Sequence, residues 1–285
     1  MFGFFARGSD GHLIIGDDYP VLSQAYRGSI TVNSRASKRW SWQPNPSYGY
    51  CEVQYPQPIR SQVPPLVFGV PTPACDNKGL GFFQHRGNSG NWTGFSILIT
   101  PRLFADSSAV AGIGFDSGWE YSVCVFGDPG VSRPGSSNYG LALFDADGNS
   151  VFNSNWPFVP FRGLLAGWVL NSYTRSYALQ SYWGNDWYER SKRYDFVLAK
   201  GTHTWGARDG NLGFLISSLG CVPVRADSGY KNRYPVRDCV VTMGFPDNRR
   251  DQLWSVTYYG GAQHPSANIN AINSWKILTA DFSHL

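Results

Sequence analysis

At 285 residues, with 42% hydrophobic and 16% aromatic side chains, the chain has ample material for folded cores, which excludes a disordered polypeptide. Its net charge of +4 comes from arginines scattered along the whole length, and the absence of a basic run argues against a nucleic-acid binder. Only three glutamates (Glu52, Glu120, Glu189) and six lysines stand against 32 glycines and 18 prolines. Helix-covering residues are scarce and sheet-forming ones abundant, so an all-β chain is expected.

The N-terminal segment appears twice. Phe2-Gly3-Phe4 leads through Asp10-Gly11 and Ile14-Ile15 to Tyr19-Pro20, and Tyr139-Gly140-Leu141 leads through Asp147-Gly148 and Val151-Phe152 to Trp156-Pro157. The shift is constant, since 139 less 2 and 157 less 20 both give 137. An Arg-Gly pair follows each copy, Arg27-Gly28 and Arg162-Gly163, and Ser122-Val123 with Gly127 suggests an end matching Ser255-Val256 with Gly260. A repeat of this length implies two folded units in tandem, since solenoid repeats run to roughly 20–50 residues.

Between turn signals, apolar or alternating runs mark strands at Leu66–Val70, Phe95–Ile99, Tyr121–Phe126, Leu141–Phe144, Phe196–Ala199, Leu212–Ile216, Cys239–Phe245, Leu253–Tyr259 and Trp275–Leu278. The proline-rich stretch from Pro56 to Pro73 predicts long loops. Residues 128–138, rich in Gly, Pro and Ser, read as an interdomain linker. The fold class expected is therefore two tandem antiparallel β-sandwich-like domains related by the repeat. They span residues 1–127 and 139–285, the second with a terminal extension beyond Gly261.

No basic leader with an apolar core opens the sequence. The most apolar stretch, Trp156 to Leu170, holds Arg162 and two prolines and is shorter than the ~20 residues needed to cross a bilayer. Cys51, Cys75, Cys124, Cys221 and Cys239 are widely spaced, without a Cys-x-x-Cys pair, and most are expected as buried thiols rather than as a zinc site or a dense disulfide frame. These features suit a protein made in the cytosol.

Asp145-Ala146-Asp147-Gly148-Asn149-Ser150 resembles half of a calcium loop, yet the position of its closing carboxylate is Trp156. Asp-Gly between apolar pairs is a hairpin signal, and the turn is the reading preferred. No nucleophile elbow or His-Glu-x-x-His motif occurs, and the five histidines are isolated. No pair of carboxylates stands out as a glycosidase couple. An enzyme, a metal site or a cofactor is not expected.

Three clusters interleave aromatic rings with hydrogen-bonding side chains. The strongest spans Tyr182 to Arg190 and supplies Trp183, Asn185, Asp186, Trp187, Tyr188 and Arg190 as binding candidates; Trp40, Trp42 and Trp92 come from smaller clusters, the last within His85 to Trp92. Flat rings with polar neighbours match the apolar face and hydroxyls of a sugar, and the same composition suits a protein interface.

The segment Tyr139 to Ser154, with its aromatic-Gly-Leu start, central Gly148 and closing Phe152-Asn153-Ser154, resembles one found in virion proteins of tailed bacteriophages encoded among tail-tip and tail-fibre genes. Phe2 to Asp17 is a looser copy. The resemblance implies a non-enzymatic structural protein of a tail tip, baseplate or compact fibre-associated part, located in the virion tail after synthesis in the host cytoplasm. Its implied partners are other tail proteins and sister copies in a cyclic homo-oligomer, a trimer being favoured. Contact with a host surface glycan or protein would run through the aromatic loops, with neither nucleic-acid binding nor membrane insertion. The alternative is a free-standing, lectin-like carbohydrate-binding protein, and behind it a glycan depolymerase.

Overall fold

The computed structural model describes residues 5–7, 13–16, 20–31, 34–35, 49–75, 79–100, 116–131, 139–165, 168–171, 177–178, 193–201, 211–219, 221–222, 237–244, 253–260, 276–283 and 285. Up to the glycine-rich segment run β1 (Phe5–Arg7), β2 (Leu13–Gly16), β3 (Leu22–Thr31), β4 (Ser34–Arg35), β5 (Gly49–Ile59), β6 (Leu66–Pro71), β7 (Gly79–Asn88), β8 (Asn91–Thr100) and β9 (Asp116–Phe126). Beyond it come β10 (Ala142–Phe144), β11 (Ser150–Asn153), β12 (Phe161–Leu165), β13 (Trp168–Asn171), β14 (Tyr177–Ala178) and β15 (Arg193–Gly201). The last are β16 (Leu212–Leu215), β17 (Cys221–Val222), β18 (Arg237–Gly244), β19 (Leu253–Gly260) and β20 (Ile277–Asp281). Among the described residues the only helical element is one 3-10 turn at Ile216–Ser218, as the scarcity of helix-covering residues leads one to expect.

Two hairpins, β1-β2 and β10-β11, stand apart from two large antiparallel sheets. The smaller sheet has the order β12-β20-β16-β6-β9-β3. The larger runs β13-β15-β19-β18-β7-β8-β5-β4, with β14 beside β15 and β17 beside β18. Strands from either side of the 128–138 segment therefore belong to the same sheets. They meet where Phe68 and Gly69 of β6 pair with Leu215 and Phe214 of β16, and where Leu80 and Gly81 of β7 pair with Met243 and Thr242 of β18. Outward from those junctions the order is matched: β9 then β3 against β20 then β12, and β8 then β5 against β19 then β15.

The repeat extends to hydrogen-bond register. In the first hairpin Phe5 pairs with Gly16, Ala6 with Ile15 and Arg7 with Leu13. In the second Ala142 pairs with Asn153, Leu143 with Phe152 and Phe144 with Ser150, each residue 137 further on (142 less 5, 153 less 16), with the register break at the same step. The expected match at the ends does not hold. Ser122-Val123 lies in β9 of the smaller sheet and Ser255-Val256 in β19 of the larger; by position, the counterpart of β9 is β20.

The smaller sheet curls until its ends meet. Ser23 bridges Phe158, Gln24 N–H donates to the Pro157 carbonyl at 2.8 Å, and Val159 N–H donates to the Leu22 carbonyl at 2.8 Å. Asp281 N–H then donates to the Pro160 carbonyl at 2.9 Å, so residues 157–160 link β3 to β20. Leu22 and Val159 are themselves 137 apart, so equivalent residues face each other across a local pseudo-two-fold axis.

Burial follows from this curl. Leu22, Phe68, Val70, Cys124, Val159, Ala280 and Phe282 cluster on the face that the curl encloses. The opposite face meets the larger sheet through a main core in which Val67, Trp119, Val123, Ile216 and Ile277 join Val53, Tyr55, Leu80, Phe95 and Ile97. Trp119 of β9 meets Phe214 of β16 edge-on at 6.3 Å, so this core also crosses from one segment to the other. Cys51, Cys75 and Cys124 are buried, and burial lifts the Cys124 thiol to about 12.

The loops expected from Pro56 to Pro73 are mostly strand. Pro56 and Pro58 sit inside β5, in the stretch between Gln54 and Ile59 where pairing with β8 lapses, so their missing N–H groups cost no ladder bond. Only residues 60–65 connect β5 to β6. Each Arg-Gly arginine reaches an acid on the neighbouring strand: Arg27 to Glu120 at 2.7 Å and Arg162 to Asp281 at 2.9 Å. Partly exposed as they are, each such pair contributes about 0–1 kcal/mol.

Because sheets and main core are continuous, the chain is expected to unfold in one transition, which calorimetry would test; two resolved transitions would contradict the shared core. Trp119→Ala should lower the unfolding free energy by about 3–5 kcal/mol in urea melts, since it empties a fully enclosed site where both segments meet.

Candidate functional site

The second hairpin is the better-defined surface feature. Its turn is built on Asp145, whose Oδ1 accepts the N–H groups of Asp147 (3.0 Å) and Asn149 (2.7 Å) while Oδ2 accepts the Asn149 side-chain amide (2.9 Å). Asp145 N–H donates to the Asn149 carbonyl, and Gly148, at φ +83°, supplies the left-handed residue. The carboxylate thus accepts three N–H donors, which accounts for the turn geometry. Among the described residues no three His, Cys, Asp or Glu side chains gather as metal ligands. The Asn149 amide and backbone hold the Asp145 carboxyl below the usual carboxylate range.

At the open end, Leu141 and Ser154 exchange backbone and side-chain bonds: Ser154 N–H donates to the Leu141 carbonyl, and Leu141 N–H to Ser154 Oγ, both at 2.9 Å. A Cβ on residue 140 would collide with Ser154 Oγ, which explains a glycine after the aromatic residue and a serine at the close. The base of the hairpin is anchored by Val151 and Trp156, both buried, and by Val21 N–H donating to the Val151 carbonyl at 3.0 Å. Other apolar side chains of the segment are in solvent. Tyr139 is 89% exposed, Phe144 57% and Leu141 48%. Phe126, beside the Val21-bonded Gly127, is exposed as well.

A second feature surrounds Trp92, the one sequence-derived binding candidate that falls within the described residues. Its indole N–H donates to the Ser61 carbonyl at 3.0 Å, which also accepts Gly90 N–H at 3.0 Å. Its ring tilts on His85 at 5.6 Å. From there a row of rings runs inward through Phe83 and Phe95 to Tyr55, stacked on Tyr26 at 5.4 Å. Half-buried and with its polar edge already bonded, Trp92 clamps the β7-β8 hairpin onto residues 60–62. Trp40, Trp42, Trp183, Asn185, Asp186, Trp187, Tyr188 and Arg190 lie outside the described residues.

No family model, curated protein or solved structure matches the chain.

Sequence reading named the Tyr139–Ser154 segment for its pattern and passed over Tyr139, Leu141 and Phe144 as a surface. Their spacing gave no signal, since Tyr139 and Leu141 share one side of an extended chain and Phe144 falls on the other; a short hairpin has no second layer of its own to cover large side chains.

The Asp145 turn gives a pH test. A carboxyl with a depressed folded pKa contributes its full stability above the ordinary aspartate pKa and loses it as pH falls through the folded value. Amide exchange at Asn149 should therefore quicken, relative to its intrinsic rate, on acidification across that interval, and Asp145→Asn should abolish the dependence. Equal profiles for the two proteins would contradict the assigned bonding.

Proposed function

We propose that this chain is a structural component of a tailed-bacteriophage tail tip or baseplate, acting by binding and not by turnover. The reading rests on one observation. The residues that resemble tail-protein segments form a hairpin braced internally at both ends and anchored at its base, with Tyr139, Leu141 and Phe144 left in solvent. Three large apolar side chains exposed on one six-residue stretch offer a contact surface, and a braced hairpin loses little freedom when it docks. On this reading sister copies cover the hairpin in a cyclic homo-oligomer, a trimer being favoured, with other tail proteins as further partners. The aromatic clusters of residues 39–43 and 182–190 then supply the contact with a host surface glycan or protein. Residues 1–127 and 139–285 are, on the same reading, copies of one sandwich-like unit, joined edge to edge through β6-β16 and β7-β18.

The full chain should run as an oligomer in size-exclusion chromatography with light scattering. Combining Tyr139→Ser with Phe144→Ser should shift it toward monomer while leaving its far-UV circular dichroism unchanged, because neither side chain contributes to a core. A wild-type chain that stays monomeric at its highest soluble concentration would overturn the assembly role of the hairpin.

A further inference from the structure

His85 sits at the outer end of the ring row, on β7. Its ring meets Phe83 edge-on at 4.8 Å and Trp92 at 5.6 Å with a 60° tilt, and across the ladder it pairs with Phe95. Its Nδ1 is buried and has no hydrogen-bond partner. Trp92 holds Ser61, while Ser89 Oγ donates to the carbonyl of Gln62 at 2.7 Å and lies 2.9 Å from its side-chain oxygen. The tip of the β7-β8 hairpin and residues 60–62 are thus one unit, and His85 packs against the indole that fastens it.

We propose that His85 is an acid-sensitive latch: neutral, it wedges under Trp92 and keeps the hairpin tip closed on residues 60–62; protonated, it leaves the slot and releases the tip. Protonation turns an unpartnered Nδ1 into a charged, buried N–H with no acceptor, a state that a protein avoids by moving the group to water. Among the described residues the charged groups nearby offer no remedy. Arg86, next along β7, points to the opposite face, where it lies 3.7 Å from Glu52 of β5, and Arg60 turns toward Asn91 at 3.5 Å. The paired stretch of β8 and the 216–219 turn beside β7 carry no ionisable side chain.

Burial holds the His85 imidazolium below the ordinary histidine range, so the closed form binds fewer protons than the open form. The latch is therefore at full strength above the ordinary histidine pKa and weakens as pH falls through it, until the folded-state value is reached. Over that interval one-proton linkage makes opening about tenfold easier per pH unit.

The test is the protection factor of the Trp92 indole N–H, read by NMR in the full-length chain as pH is lowered. In the wild type it should fall by about tenfold per unit across the interval. In His85→Phe, which refills the slot with a ring that takes up no proton, it should stay flat. His85→Gln, also unable to charge, decides the matter if the phenylalanine variant fails to fold. A flat wild-type profile, or the same slope in a folded variant, would overturn the latch.

Discussion

Two backbone hydrogen bonds, from Gln24 to Pro157 and from Val159 to Leu22, fasten together the ends of the six-stranded sheet. Each is worth only about 0.5–1.5 kcal/mol net, whereas burying a side chain such as Phe68 or Phe282 yields about 1.5–3 kcal/mol. The bonds nevertheless decide the geometry that the burial exploits. With the ends joined, one face of the sheet encloses Phe68, Val70 and Phe282, and the other is turned as a whole against the larger sheet. Joining them also removes part of the free edge that an open sheet would offer to other chains. The second hairpin is held beside that closure by the bond from Val21 to Val151.

Much of this order was legible in the residues. The aromatic-Gly start and the Asp-Gly turn repeat at one spacing because the hairpin needs both: Gly140 makes room for Ser154, and Gly148 turns the chain. Apolar runs marked strands wherever a strand is covered on both faces, as in Val67-Phe68 or Val123-Cys124. The correspondence of β9 with β20 was hidden. Trp119 and Tyr121 pack on the main core, whereas the later strand carries the smaller Ile277 and Thr279, both buried, so no shared residue marks the match. Prolines misled for a related reason, since Pro56 and Pro58 occupy a lapse in pairing that no single-strand pattern reveals.

For the candidate site the limit was different. An aromatic next to polar residues has the same composition whether its edge is spent inside the protein or offered outward. Trp92 shows the first case, its N–H held by Ser61 and its ring by His85. Phe144 shows a ring turned to solvent, and nothing in its own side chain separates it from a core residue; the difference lies in the thinness of the hairpin that carries it.

Leu22 and Val159, equivalent in the repeat, face each other where the sheet closes. A substitution at either position is met at once by its counterpart, so near this axis the two copies are not free to diverge separately. Specialisation is left to places further from it. Gln24, which bonds Ser122, corresponds under the shift of 137 to Phe161, which lies half in solvent. The corresponding position is thus polar in one half of the repeat and greasy in the other.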